Sequence, residues 1–275
     1  MTLDIGLNMS FNESVLGKEY LKYCNLKEIA LNTKTLDLSN ISWFFPTCLL
    51  PLGIFIKEHK EIHVIPPIDI EVAKYFNIIM KDKIDSVKRS YIPIVEILPN
   101  KKLIEKNLDS LISNKDYNMG SLNAFAYFIG ELITNIYEHS KFSTAYIIAQ
   151  RYNQKNFTEI GIIDNGISIP GSYEIKGFNF SDIKALEEAI QGLSTKYNDN
   201  EYSERGYGLR TSLNLLTEGF EAKCLIVSRG VGLIANKNNR FFYKMKEKDI
   251  FNGTLISTRF DNNIREVNVY AYIDT

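Results

Sequence analysis

From Ser121 to Phe260 the chain reads as one long amphipathic helix followed by apolar runs of strand length, and this order constrains the fold most. The helix reaches about His139, with Phe125, Phe128, Leu132 and Ile136 recurring every three or four residues, the spacing of a stripe held against a sheet. Thr144 to Arg151 and Thr158 to Asp164 then read as strands. A long polar segment follows to Arg205, and a second helix extends to about Glu218. Three strand-like runs close the chain: Ala222 to Arg229, Arg240 to Lys246 and Thr254 to Phe260. Helix first and then strands fits an α+β domain, helices on a mixed, mostly antiparallel sheet, and not a doubly wound fold.

The first hundred residues have a different rhythm, with short strands alternating with helices as in a small α/β layer. Thr35 to Leu38 and Glu61 to Ile65 read as strands, and Tyr91 to Leu98 returns to strand character. Phe45 to His59 reads as a helix with Pro46 in its tolerant first turn. Ile70 to Met80 reads as a second helix, with Val72, Tyr75, Phe76 and Ile79 on one stripe. A polar, lysine-rich stretch follows. The expected division is therefore an α/β domain over 1–100, a linker or connecting helix over 101–120, and the α+β domain over 121–275.

Composition serves mainly to exclude. With 32 Lys+Arg against 33 Asp+Glu, the net charge of −1 argues against bulk electrostatic gripping of nucleic acid or an anionic membrane. Three scattered cysteines, with no CxxC pair, supply neither a disulfide framework nor a zinc site. The N-terminus lacks a signal-peptide pattern. The longest apolar run, Trp43 to Ile56, falls short of the roughly 20 residues a bilayer span needs. The expectation is a soluble, cytoplasmic protein.

Four short segments carry the chemistry. In Glu131-Leu-Ile-Thr-Asn135-Ile-Tyr-Glu-His139, the acid, the amide and the imidazole stand four apart and share a helix face. A solvated helix edge has the same pattern. In Ile162-Ile-Asp164-Asn-Gly166, an apolar strand delivers an aspartate to its end. Such a carboxylate can accept from an exocyclic amine while glycine admits a close backbone, although an ordinary Asp-Asn-Gly turn reads identically. Arg205-Gly206-Tyr207-Gly208-Leu209-Arg210 opens a helix whose exposed amides and dipole favour an anion. Gly253-Thr254 leads into the last strand.

In this order and at these gaps, the four segments resemble the GHKL superfamily of ATPases and kinases, the Bergerat fold, over about residues 115–262. The form of the first segment looks nearest the anti-sigma-factor kinase branch. The resemblance implies Mg²⁺ and ATP as ligands. Asn135 would hold the metal and Glu131 would act as general base. Asp164 would accept from the adenine amine, with Gly166 allowing close approach and Ile169 beside it. Gly206, Tyr207, Gly208 and Leu209 would meet the phosphates, and Thr254 would lie near the adenine end. Gly171 to Arg205 would form a mobile lid, in which Lys196 contacts phosphate or is simply solvated. Two positions depart from the family: Ser168 stands where a second glycine is common, and Arg210 where many kinases have another.

Leu36-Asp-Leu-Ser-Asn-Ile-Ser-Trp-Phe-Phe-Pro-Thr47 resembles the strand–loop–helix of STAS domains, which present a phosphorylatable Ser or Thr at the helix start. Thr47 falls near that place, with Phe45-Pro46 in place of the usual acid. A core strand and helix of an unrelated α/β domain would read the same way. His59 and His63 are poorly placed for a sensor-kinase phosphoacceptor, and the expectation is that no gyrase-type second domain follows the last strand. The expected function is an ATP-binding regulator with ATPase or Ser/Thr-kinase-like activity that acts on a protein partner. The alternatives are a non-catalytic ATP-gated binding module and a stress or defence effector. Related kinases often dimerise, which leaves a homodimer open.

Overall fold

The computed structural model describes residues 10–80, 91–97, 122–193, 207–262, 267–268 and 270–273. Its framework is a seven-stranded sheet, with every neighbouring pair antiparallel, in the order β3-β4-β5-β9-β6-β7-β8. The strands are β3 (Tyr91–Glu96), β4 (Ala145–Tyr152), β5 (Phe157–Asp164), β6 (Lys223–Arg229), β7 (Val231–Ala235), β8 (Arg240–Lys244) and β9 (Phe251–Asp261). Two short strands, β1 (Thr35–Asp37) and β2 (His63–Ile65), form a separate parallel pair.

The central strands are apolar on both faces, because both faces are covered. Ile147, Ile162, Ile226 and Leu233 face one helical layer, formed by α4 (Leu122–Asn135), α5 (Ser168–Ile175), α6 (Asp182–Gln191) and α7 (Tyr207–Asn214). Ile148, Ile163, Leu225, Val227 and Leu255 face the other layer, formed by α1 (Val15–Thr33), α2 (Pro46–Glu58) and α3 (Ile70–Met80). Contact on this side is close: a Cβ on Gly161 of β5 would lie 2.5 Å from Leu50 Cδ1 of α2.

Several expectations change here. The strand at Tyr91, read as the end of an N-terminal unit, pairs with β4 as the edge of the main sheet. The N-terminal helices share a core with that sheet across large sequence separations. Tyr20 Oη, for example, donates to the Asp249 carbonyl at 2.7 Å. The long helix α1 and the strand β7 had no counterpart in the sequence reading. β7 is short and contains Gly232, and it follows β6 through a tight turn at Arg229 and Gly230. The stretch read as a lid, Gly171 to Arg205, contains the end of α5 and all of α6 as far as it is described, and the rest of it, with Lys196, lies outside the described residues. The connection 101–120 also lies outside them.

Thr47 is fully buried, and this places it out of reach as a phosphoacceptor. Its amide and its hydroxyl both donate to Glu159 Oε1, at 3.0 and 2.7 Å. The Phe45 side chain makes no cap, so a carboxylate from the sheet satisfies the first turn of α2, where the dipole favours an anion. Arg259 Nε neutralises the same carboxylate from Oε2 at 2.9 Å. Among the described residues, no helix is long and apolar enough to cross a membrane.

Candidate functional site

The segments singled out in the sequence meet at the end of the sheet where β5 delivers Asp164. They line a cavity of about 400 Å³, between α4, α5, α7 and the sheet. Glu131, Asn135, Asp164, Ile169, Gly208, Leu209 and Thr254 all lie on its wall. So does His139, completing the helix face read from the four-residue spacing. Gly206 and Lys196 lie outside the described residues, as does the side chain of Tyr207.

Each element arrives for a local reason. Helix α4 buries Phe128, Leu132 and Ile136 against the sheet, which turns Glu131 and Asn135 to the cavity. It ends in a π-helical turn, Ile136–Ser140, rather than the plain α-helix expected. That turn is secured by the Asp164-Asn-Gly loop: Ile167 N donates to the Ser140 carbonyl at 2.7 Å, and Asn165 Oδ1 accepts from Thr144 N at 2.8 Å.

Gly166 has a different task from the one expected. It is not on the cavity wall, and a Cβ there would lie 2.0 Å from the Ser140 carbonyl oxygen. Its glycine serves the packing of the loop on the π turn. Gly253, with φ +134°, likewise passes so close to the Asp164 carbonyl that a Cβ would sit 2.0 Å away. Gly208 does face the cavity: a Cβ there would lie 2.5 Å from Glu131 Oε2 and 3.7 Å from both amide atoms of Asn135. Its bare backbone lets the acid lie directly against it, with the amide close by. Ser168 adopts φ +70°, the region glycine favours, at the position where the resemblance implies glycine. Its Oγ accepts from Gly171 N at 3.2 Å.

Asp164 is buried at the floor, and burial pushes its carboxyl up to about 7. Its Oδ1 accepts from Gly166 N at 2.8 Å, which pulls the other way. The Ser140 hydroxyl nearby adds to that pull but makes no hydrogen bond of normal geometry. Asp164 belongs to a row in register across three strands, Asp164–Thr254–Ser228, beside the apolar row Ile162–Ile256–Ile226. A polar row at the edge of an apolar face is where a ligand's polar end can meet the sheet.

The helices α5 and α6, missed as elements in the sequence, form the remaining wall with Ser172, Tyr173 and Ala189. They are clamped to the β6–β7 turn. Arg229 Nη1 and Nη2 each reach Glu174 at 2.7 Å, its Nε donates to Asp182 Oδ1 at 3.0 Å, and Gly230 N donates to Asp182 Oδ2 at 2.9 Å. Tyr173 Oη donates to the Leu193 carbonyl, tying the end of α6 back to α5. The sequence signals for this wall are the Ser181 cap, the apolar spacing of Ala185, Leu186 and Ile190, and Gly192 at the helix end.

Among the described residues no group of three or more His, Cys, Asp or Glu is placed to hold a metal ion. A cation here would have to take most of its ligands from a bound anion and water, as Mg²⁺ commonly does on phosphates, with Asn135 the side chain facing that space. The three thiols are buried and pushed up to about 12, which removes them as nucleophiles. No protein-family model matches the chain, and no curated protein matches it.

Proposed function

We propose that this protein binds Mg-ATP in the cavity below α4, in the manner of the GHKL superfamily, and uses the nucleotide to control a contact with a protein partner. The carrying observation is convergence. Residues from four segments, between 131 and 254, were selected by motif and gather on one cavity wall. A cavity of about 400 Å³ lies within the roughly 300–1,000 Å³ typical of small-ligand sites.

The division of labour follows from the lining. Asp164 accepts from the exocyclic amine of the base, and its burial makes that hydrogen bond strong once the carboxylate is ionised. Gly208 lets Glu131 and Asn135 lie close to the backbone that would meet the phosphates, and the N-terminus of α7 adds a dipole that favours negative charge. Mg²⁺, when bound, would neutralise charge on the phosphates, with Asn135 as its protein ligand. Glu131 is placed to take a proton from water or an acceptor hydroxyl. Control of the partner would come from α5 and α6, the wall clamped to the β6–β7 turn by Arg229.

Calorimetric titration with Mg-ATP and Mg-GTP tests the reading directly. Saturable Mg-ATP binding that Asp164→Asn abolishes is the expected result. Undiminished Mg-ATP binding by Asp164→Asn would remove the adenine assignment. Phosphate release or transfer that disappears in Glu131→Ala separates an enzyme from a non-catalytic ATP-gated module.

A further inference from the structure

Ser228 lies behind the cavity, fully buried, and no motif points to it. Its hydroxyl has three partners. Ile169 N lies at 2.9 Å, the Gly253 carbonyl at 3.2 Å and Thr254 Oγ1 at 2.9 Å. A serine hydroxyl has one proton and two lone pairs. The Ile169 amide can only donate, so it takes one lone pair. The Gly253 carbonyl can only accept, so it takes the proton. The hydroxyl of Thr254 must then donate to the second lone pair, since this assignment alone satisfies all three.

We infer that Ser228 is a positioning residue that sets the polarity of the base end of the pocket. With its own proton turned inward to Ser228, Thr254 presents only lone pairs to the cavity. Beside it, in register on β5, stands Asp164, an acceptor once ionised. The floor is therefore a pair of acceptors that suits the two N–H groups of an exocyclic amine and rejects a carbonyl oxygen at the same place. Through Ile169 N, the same hydroxyl also seats the first turn of α5. This inference rests on the nucleotide reading and adds to it the source of discrimination at the base.

The test compares Mg-ATP with Mg-ITP, in which a 6-oxo group replaces the 6-amino group and N1 gains a proton, by calorimetry on the full chain at about pH 8, where Asp164 is ionised. Four proteins are measured: the parent, Ser228→Ala, Thr254→Val and the double variant. The parent should prefer ATP. Ser228→Ala frees the Thr254 proton to turn into the cavity and donate to the 6-oxo group, so the ATP/ITP preference should fall about tenfold, the scale of one hydrogen bond. With Thr254→Val there is no proton to release, so adding Ser228→Ala should leave the preference unchanged.

An unchanged preference in Ser228→Ala overturns the inference. An equal fall in the Thr254→Val background also overturns it, because Ser228 would then act through the scaffold alone. Failure of the parent to bind either nucleotide overturns the nucleotide reading itself, and the inference with it. If Ser228→Ala does not fold, Ser228→Cys keeps a slightly larger side-chain atom at the same place, replaces the hydroxyl with a weaker donor and acceptor, and carries the same comparison.

Discussion

Gly208 and Glu131 meet on the cavity wall so closely that a methyl group on the glycine would come within 2.5 Å of Glu131 Oε2. The atom it would meet is the far end of a flexible side chain, so the fold can absorb the change while the carboxylate cannot stay in place. Gly208→Ala should melt within a few degrees of the parent, as expected for a change worth roughly 1 kcal/mol or less in a chain of this size. Nucleotide turnover should fall by about 10² or more, the scale of a misplaced catalytic group. Thermal melting beside a phosphate-release assay checks both.

On the proposed reading, Asp164 makes Mg-ATP binding depend on pH in a calculable direction. Its carboxyl is held up at about 7, chiefly by burial, and an amine donor on the ligand favours the ionised form. Binding therefore releases a proton, so Mg-ATP affinity should rise with pH through about 7 and level off above it. Calorimetry in buffers of different ionisation heat measures the proton directly.

The same raised carboxyl affects stability with the opposite sign. The folded protein holds this proton more tightly than the unfolded chain, so the stabilisation present below pH 3.8 is lost as pH rises towards about 7. At pH 8, Asp164→Asn should raise the unliganded protein's stability by roughly 1–3 kcal/mol while abolishing nucleotide binding. Urea unfolding at pH 5 and pH 8 should show the gain shrinking at the lower pH.

Thr47 and Glu159 link the N-terminal layer to the sheet. Thr47→Val removes one of the two donors to Oε1 and should cost about 1–3 kcal/mol in urea unfolding. Glu159→Ala removes the anion from the α2 N-terminus and strands Arg259, whose side chain is 13% exposed, so it should cost more, about 3–5 kcal/mol. Incubation with labelled ATP should place no phosphate on Thr47 of the folded protein, as mass spectrometry of tryptic fragments would show.

Arg229 holds the wall formed by α5 and α6. Arg229→Ala should cost only about 1–2 kcal/mol of global stability, since its side chain remains 29% exposed. Amide hydrogens of α5 and α6 should exchange faster, while those of β5 and β9 keep their protection. Nucleotide dissociation, followed by stopped flow, should quicken several-fold.

The helix face of Glu131, Asn135 and His139, the aspartate at the end of an apolar strand and the glycine opening a helix are local patterns. Periods of 3.6 and 2 set which way side chains point within an element, so these residues were legible before the fold was known. The same holds for β4, β5, β6 and β9 and for the helix at Pro46. Tertiary structure decided what lies behind those faces. It placed β3 on the main sheet, laid the N-terminal helices over the sheet's second face and buried Thr47 against Glu159. It also gave Gly166 a packing task and set Ser228 behind Thr254. Each depends on partners distant in sequence, such as Thr47 and Glu159, 112 residues apart. A periodic pattern records that a face is buried, but which distant segment buries it depends on shape and on matched polar groups that exist only once the layers have met.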